Sequence, residues 1–144
     1  MRVFNLGILL VLIFSNSVCF SQNSDIKIKI SGIEEIKGYV YVYLFSSEKG
    51  FPIDLSKATQ SKKVKVINKV ASITFNDIKD GYYAITVYHD VNSNKKMDTN
   101  FVGMPKEPVG VSNNAKGFMG PPKYEDAKFY LKSDKQIMIQ LNTE

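Results

Sequence analysis

The stretch from Tyr88 to Gly103, YHDVNSNKKMDTNFVG, concentrates side-chain oxygens in an unusual way. Asp90, Asn92, Asn94, Lys96 and Asp98 fall on alternate positions. An EF-hand-type loop offers oxygens to calcium at positions 1, 3, 5, 7 and 9 with that same spacing. Lys96 would serve through its carbonyl, and Asp98 directly or through water. The match is partial, because Lys95 stands where such a loop has glycine and Phe101 where a bidentate Glu closes the site. A closing carboxylate would then come from Glu107, Glu125 or Asp126. With so few carboxylates the dissociation constant should lie on the order of 10⁻⁴ to 10⁻³ M. The same side chains also suit an Asx-rich turn that bonds its own backbone.

His89 is the only histidine. Beside Asp90 it could act as a general base for a small hydrolase or isomerase. A lone histidine at a strand end more often packs or hydrogen-bonds, and neither G-x-S-x-G nor H-E-x-x-H occurs. Lys106, Glu107, Asn113, Asn114 and Tyr124 could line a polar groove floored by Phe118 and Met119, suited to a small molecule, a glycan or a peptide. The same residues could instead satisfy the backbone of a folded loop.

Strands must position these groups. "DIKIKIS" (25–31) alternates isoleucine with lysine, a period of two that hides one face. "GYVYVYLF" (38–45) and "YYAITVYH" (82–89) read as strands covered on both sides. "KVKVIN" (63–68) and "VASITF" (70–75) suggest a hairpin around Asn68-Lys69, and "AKFYLK" (127–132) and "QIMIQL" (136–141) a second one around Ser133-Asp134-Lys135. "FPIDLSKATQ" (51–60) suits a helical turn that packs Phe51, Ile53 and Leu55 on a sheet edge. Seven short strands without an amphipathic helix predict an all-β fold, a seven-stranded, transthyretin-like or immunoglobulin-like β-sandwich. "IKDGYY" carries the Gly81-x-Tyr83 spacing of a tyrosine corner.

Residues 91–124 show no strand, yet hold four of the chain's five prolines. Disorder fits poorly, because Phe101, Val102, Met104, Val109, Val111, Phe118 and Met119 call for cover. An ordered Asn/Gly/Pro-rich loop is expected, pinned by the Asp90–Asp98 segment. Asn113, Asn114 and Gly117 suit positive-φ turns.

The N-terminus predicts a compartment. Arg2 followed by "LGILLVLIF" (6–14) has the layout of a secretory signal peptide ending at Ser21, too short to span a bilayer. Residues 22–144 would form one domain with no transmembrane span. Its home would be periplasmic, outer-membrane-associated or extracellular. Cys19 is the only cysteine, and the residues before it depart from a lipidation signal, so the exported chain would hold no disulfide. The formal charge of the 144-residue chain is +5, and Arg2 is its only arginine. Lysines without arginine-rich patches argue against nucleic-acid binding.

Gly38 to Phe45 followed by "GYYAITVYHDVNSNKKMD", "GMPKE", "SNNA" and "GPPKYEDA" resembles the bacterial exported family termed domain of unknown function 2141. That pattern has Asn-Gly-Asn-Gly-Lys where this chain reads Asn92-Ser93-Asn94-Lys95-Lys96, and Asn94 could supply a left-handed conformation there. The resemblance implies export and a compact β-domain, and names no ligand. The reading is an exported, non-enzymatic module that binds a small molecule, a glycan or an envelope protein through the 90–124 loop, with calcium as a structural ion.

Overall fold

The computed structural model describes residues 23–142. The expected signal peptide and Cys19 lie outside the described residues. Among the described residues eight strands form: β1 Ser24–Ser31, β2 Tyr39–Phe45, β3 Gln60–Lys65, β4 Ala71–Ile78, β5 Gly81–Asp90, β6 Val109–Val111, β7 Phe129–Leu131 and β8 Lys135–Gln140. A single helical turn, α1, spans Tyr124–Ala127. One sheet has the order β4-β1-β8, with β8 parallel to β1. The second runs β3-β2-β5-β6, and β7 pairs with the start of β5. Among the described residues no helix is long and apolar enough to cross a membrane.

The all-β expectation holds, and period-two patterning explains the core. Ile26, Ile28 and Ile30 of β1 turn inward while Lys27 and Lys29 face out or lie at the rim. They meet Val40, Val42 and Leu44 of β2 and Tyr83, Ile85 and Val87 of β5 in one cluster between the sheets. Each such aliphatic side chain contributes about 1.5–3 kcal/mol when fully buried. The opposite face of β5 is covered as well, while on β2 only Phe45 is buried there and Tyr39, Tyr41 and Tyr43 stay half-buried. Phe45, Ala84, Val111, Tyr124 and Ala127 form a second cluster with Phe51 and Leu55. Phe51 packs edge-on against Phe45 and Tyr124. A 3-10 turn at Leu55–Lys57 appears as expected, though Ile53 faces solvent. The Tyr83 hydroxyl donates to the Lys79 carbonyl at 2.9 Å, completing the tyrosine corner.

Several connections differ from the sequence reading. Neither expected hairpin forms: β3 pairs with β2 and β4 with β1, so Asn68-Lys69 crosses between sheets. A two-residue type I′ turn needs positive φ, and neither Asn68 nor Lys69 adopts it. Likewise β7 joins β5 while β8 takes the free edge of β1. The stretch 91–124 is not strandless, because β6 extends the β5 edge with only Val109, Gly110 and Val111, too few to show a period.

Gly38 fixes the far end of this architecture. Its φ of 71° is left-handed, and a Cβ there would overlap the Asp90 carbonyl oxygen. The two segments therefore pass closely where β5 ends and the candidate site begins.

Candidate functional site: the cleft at the end of β5

Strand alternation sends His89 and Asp90 to opposite faces. His89 follows Ile85 and Val87 to the inner face, at the open end of the core, and is fully buried. Its Nε2 lies 2.7 Å from the Lys37 carbonyl oxygen, an acceptor, so Nε2 carries the proton. Nδ1 is buried and has no protein partner. Asp90 points to the outer face and does not orient the imidazole, so the expected His89–Asp90 pair is not formed.

Asp90 instead pins the loop that follows. Its Oδ1 accepts from the Asn94 N–H at 3.1 Å and its Oδ2 from the Lys95 N–H at 2.9 Å. Asn92 Oδ1 also accepts from the Asn94 N–H (3.0 Å), and Asn94 Oδ1 from the Lys96 N–H (2.8 Å). These are successive Asx turns. They place Ser93 (φ 60°) and Lys95 (φ 66°) in the left-handed region, and Asn94 is not among the positive-φ residues. Asp98 closes the loop: the Asn92 Nδ2 donates to it at 2.7 Å and the Asn94 Nδ2 at 2.9 and 3.0 Å. Those amides, Asn94 first and then Asn92, hold the Asp98 carboxyl below its ordinary range, helped by Lys106 and Lys96.

Asn92, Asn94 and Asp98 thus converge, while Asp90 serves the backbone and Lys96 enters through its N–H. For those three to share a cation, both amides would turn their oxygens toward Asp98 and give up N–H donors. Among the described residues no three Asp, Glu, His or Cys side chains gather as a metal-binding group. Of the three closing carboxylates considered, only Glu107 reaches the loop. Its Oε1 accepts from the Val91 N–H (3.1 Å) and its Oε2 from the Asp98 N–H (3.3 Å). Burial pushes its carboxyl up, and those two N–H donors pull it back. Glu125 pairs with Lys128, beside Tyr124, whose hydroxyl donates to the Tyr82 carbonyl. Tyr82 and Asp90 are eight residues apart on β5, about 26 Å, which puts Glu125 and Asp126 at the wrong end.

The His89 end opens into a cleft of about 550 Å³. Its lining includes His89, Asn92, Asp98, Thr99, Lys106 and Glu107, with Glu34 and Glu35 contributed by the loop between β1 and β2. Glu35 is paired with Lys37 at 2.6 Å. Four carboxylates therefore line the cleft with one lysine, Lys106, an acidic recess in a chain that is basic overall. Glu34 and Glu35 gave no sign of this in the sequence, where "SGIEEIKG" reads as a plain connection.

The five expected groove residues separate. Lys106 and Glu107 line the cleft, whereas Asn113, Asn114 and Tyr124 hold the other end together. The Asn113 Nδ2 donates to the Asp126 and Lys128 carbonyls, and Asn114 Oδ1 accepts from the Gln140 N–H. Both asparagines have positive φ as expected, but Gly117 does not; its missing Cβ admits the Gly120 carbonyl. Phe118 and Met119 floor no groove and stand in solvent. Ser112 went unnoticed in the sequence. Its buried hydroxyl accepts from the Ile85 N–H (2.9 Å) and donates to the Ala127 carbonyl (2.7 Å), bridging the gap between β6 and β7 on β5. Among curated proteins and among solved structures, none matches this chain. Residues 28–140 match the family described as "Uncharacterized protein conserved in bacteria (DUF2141)", and the chain belongs to that family.

Proposed function

We propose that this protein is an exported, non-enzymatic module that binds a small donor-rich ligand, an amine above all, in the cleft over His89. The observation that carries this reading is His89, which lines an acidic recess and whose buried Nδ1 has no protein partner. A buried polar atom left unpaired costs about 1–3 kcal/mol, which a ligand N–H or O–H would recover. Glu34, Asp98 and Glu107 would add charge complementarity to an ammonium group. The hydrogen-bonded 91–108 loop presents Lys106 and Glu107 already positioned, which lowers the ordering cost of binding.

Calcium belongs to the proposal as a second clamp on the same loop, replacing the amide donors on Asp98 with a cation. The alternative activity is a hydrolase or isomerase in which His89 Nδ1 takes a proton and Glu107 assists; the shared cleft of these two residues favours it over any other catalytic reading.

Amide chemical shifts of the labelled protein, titrated with putrescine, glucosamine and a lysine-containing peptide, test the binding reading. Shifts should cluster at Glu34, Asn92 and Thr99 and weaken in His89→Gln and Glu107→Gln. Silence at those positions with every probe would remove the cleft as a ligand site.

A further inference from the structure

We propose that the tip spanning residues 99–105 is a docking element that seats the protein on an anionic lipid surface. Phe101 is 99% exposed, and Val102 and Met104 beside it are exposed too. These are residues for which the sequence demanded cover, and the fold supplies none. Exposed apolar clusters of this kind mark a surface that meets something else.

The exposure is built in by the bonds beneath the tip. Asn100 Oδ1 accepts from the Val102 N–H (3.0 Å) and the Met104 N–H (2.9 Å), and the Asn100 N–H donates to the Met104 carbonyl (2.8 Å). Thr99 bridges Pro105, and the Lys106 N–H donates to the Asp98 carbonyl at 2.8 Å. The side chains are therefore held outward on a closed turn. Such a convex apolar point needs no preformed pocket in its partner if the partner is a fluid interface, where buried apolar area and anionic headgroups supply the binding together.

Charge selects the same partner. Lys95, Lys96 and Lys106 flank the base of the tip and are exposed. The acids of this loop are less exposed than these lysines: Asp90 and Glu107 are buried and Asp98 is half-buried. Lysines near an anionic leaflet each strengthen attachment, and the effect falls off within a Debye length.

The test uses the processed protein purified from the cell envelope, carrying an NBD fluorophore at Val102→Cys or, separately, at Met119→Cys on the other exposed loop. Vesicles of phosphatidylcholine with phosphatidylglycerol should blue-shift the probe at 102 and leave that at 119 unchanged. Phe101→Ser should weaken vesicle binding about tenfold or more. Lys95→Glu with Lys96→Glu should do likewise, by about tenfold, and vesicles of phosphatidylcholine alone should bind less well. The proposal is overturned if the probe at 102 does not shift, if the probe at 119 shifts instead, or if Phe101→Ser binds vesicles as the parent does. Capture of a protein through this tip without vesicle binding would overturn it equally.

Discussion

Replacing Ser93 and Lys95 by glycine should stabilise the protein. Both residues sit in the left-handed region, at φ 60° and 66°, and both side chains are exposed. For a residue with a Cβ that conformation costs roughly 1–2 kcal/mol. Glycine removes the cost but brings a more flexible unfolded chain, a penalty of about 0.5–1 kcal/mol. The net gain is about 0.5–1 kcal/mol per site and roughly twice that for the pair, since neither substitution deletes a backbone donor to Asp90 or Asn94. For a domain of this size about 1 kcal/mol moves Tm by roughly 4 °C, so the double variant should melt about 4–8 °C higher. Differential scanning calorimetry and urea unfolding at neutral pH would read the change.

Charge offers a competing explanation at Lys95, and one control separates the two. Lys95→Ala removes the ammonium and keeps the Cβ, so it should leave Tm nearly where it was. If Lys95→Ala gained as much as Lys95→Gly, the relief would be electrostatic. A double glycine variant that melts at or below the parent would refute the claim that backbone strain is stored in this loop.

Four other outcomes follow from the geometry. Gly38→Ala should destabilise by about 2 kcal/mol or more, because its Cβ would strike the Asp90 carbonyl at a backbone position that cannot give way; urea midpoints measure it. Tyr83→Phe should cost about 1 kcal/mol through loss of the hydroxyl bond to Lys79, with the fold unchanged by circular dichroism. Carboxyl titration by NMR should place Asp98 below its ordinary 3.8 and Glu107 above its ordinary 4.5. The signs then oppose: Asp98 contributes stability above the unfolded Asp value that is lost as pH falls through its lowered value, while Glu107 favours folding most at low pH and less as pH rises through its raised value. A melt in EDTA and again in calcium at 100 times its dissociation constant should differ by about 2.7 kcal/mol if the ion takes over the clamp on Asp98; unchanged curves, for the parent and for Asp98→Ala alike, would strike calcium from the proposal.

What the sequence made legible was local. The Ile26-Ile28-Ile30 alternation, the Gly81-x-Tyr83 corner and the Asn113-Asn114 turn each depend on a few neighbouring residues, and each formed. Partner choice was not legible, because Lys62, Lys63 and Lys65 suit any edge strand and say nothing about which sheet owns it. The same limit hid the cleft. Glu34 and Glu35 meet Asp98 and Glu107 only because Gly38 lets the β1–β2 connection cross tightly over the end of β5, a contact between segments more than fifty positions apart. Ser112 shows the converse, a common residue whose role comes from a gap between two short strands that no pattern announces.

Glu107 ties the two halves of the site into one physical device. Its carboxylate closes the loop by accepting from Val91 and Asp98, and the same side chain lines the cleft where a ligand would sit. A cationic ligand that draws on Glu107 competes with the N–H groups that hold the loop shut. Binding and loop order are therefore linked, with whatever sign the competition takes. Glu107→Gln separates the contributions: its amide oxygen can still accept from one N–H, but the charge that an ammonium would seek is gone. Backbone amide exchange from Val91 to Asp98, followed with and without ligand in both forms, would show whether the loop loosens or tightens when the recess is filled. Exchange that ignores the ligand in a parent protein that demonstrably binds it would mean that the clamp and the recess work independently.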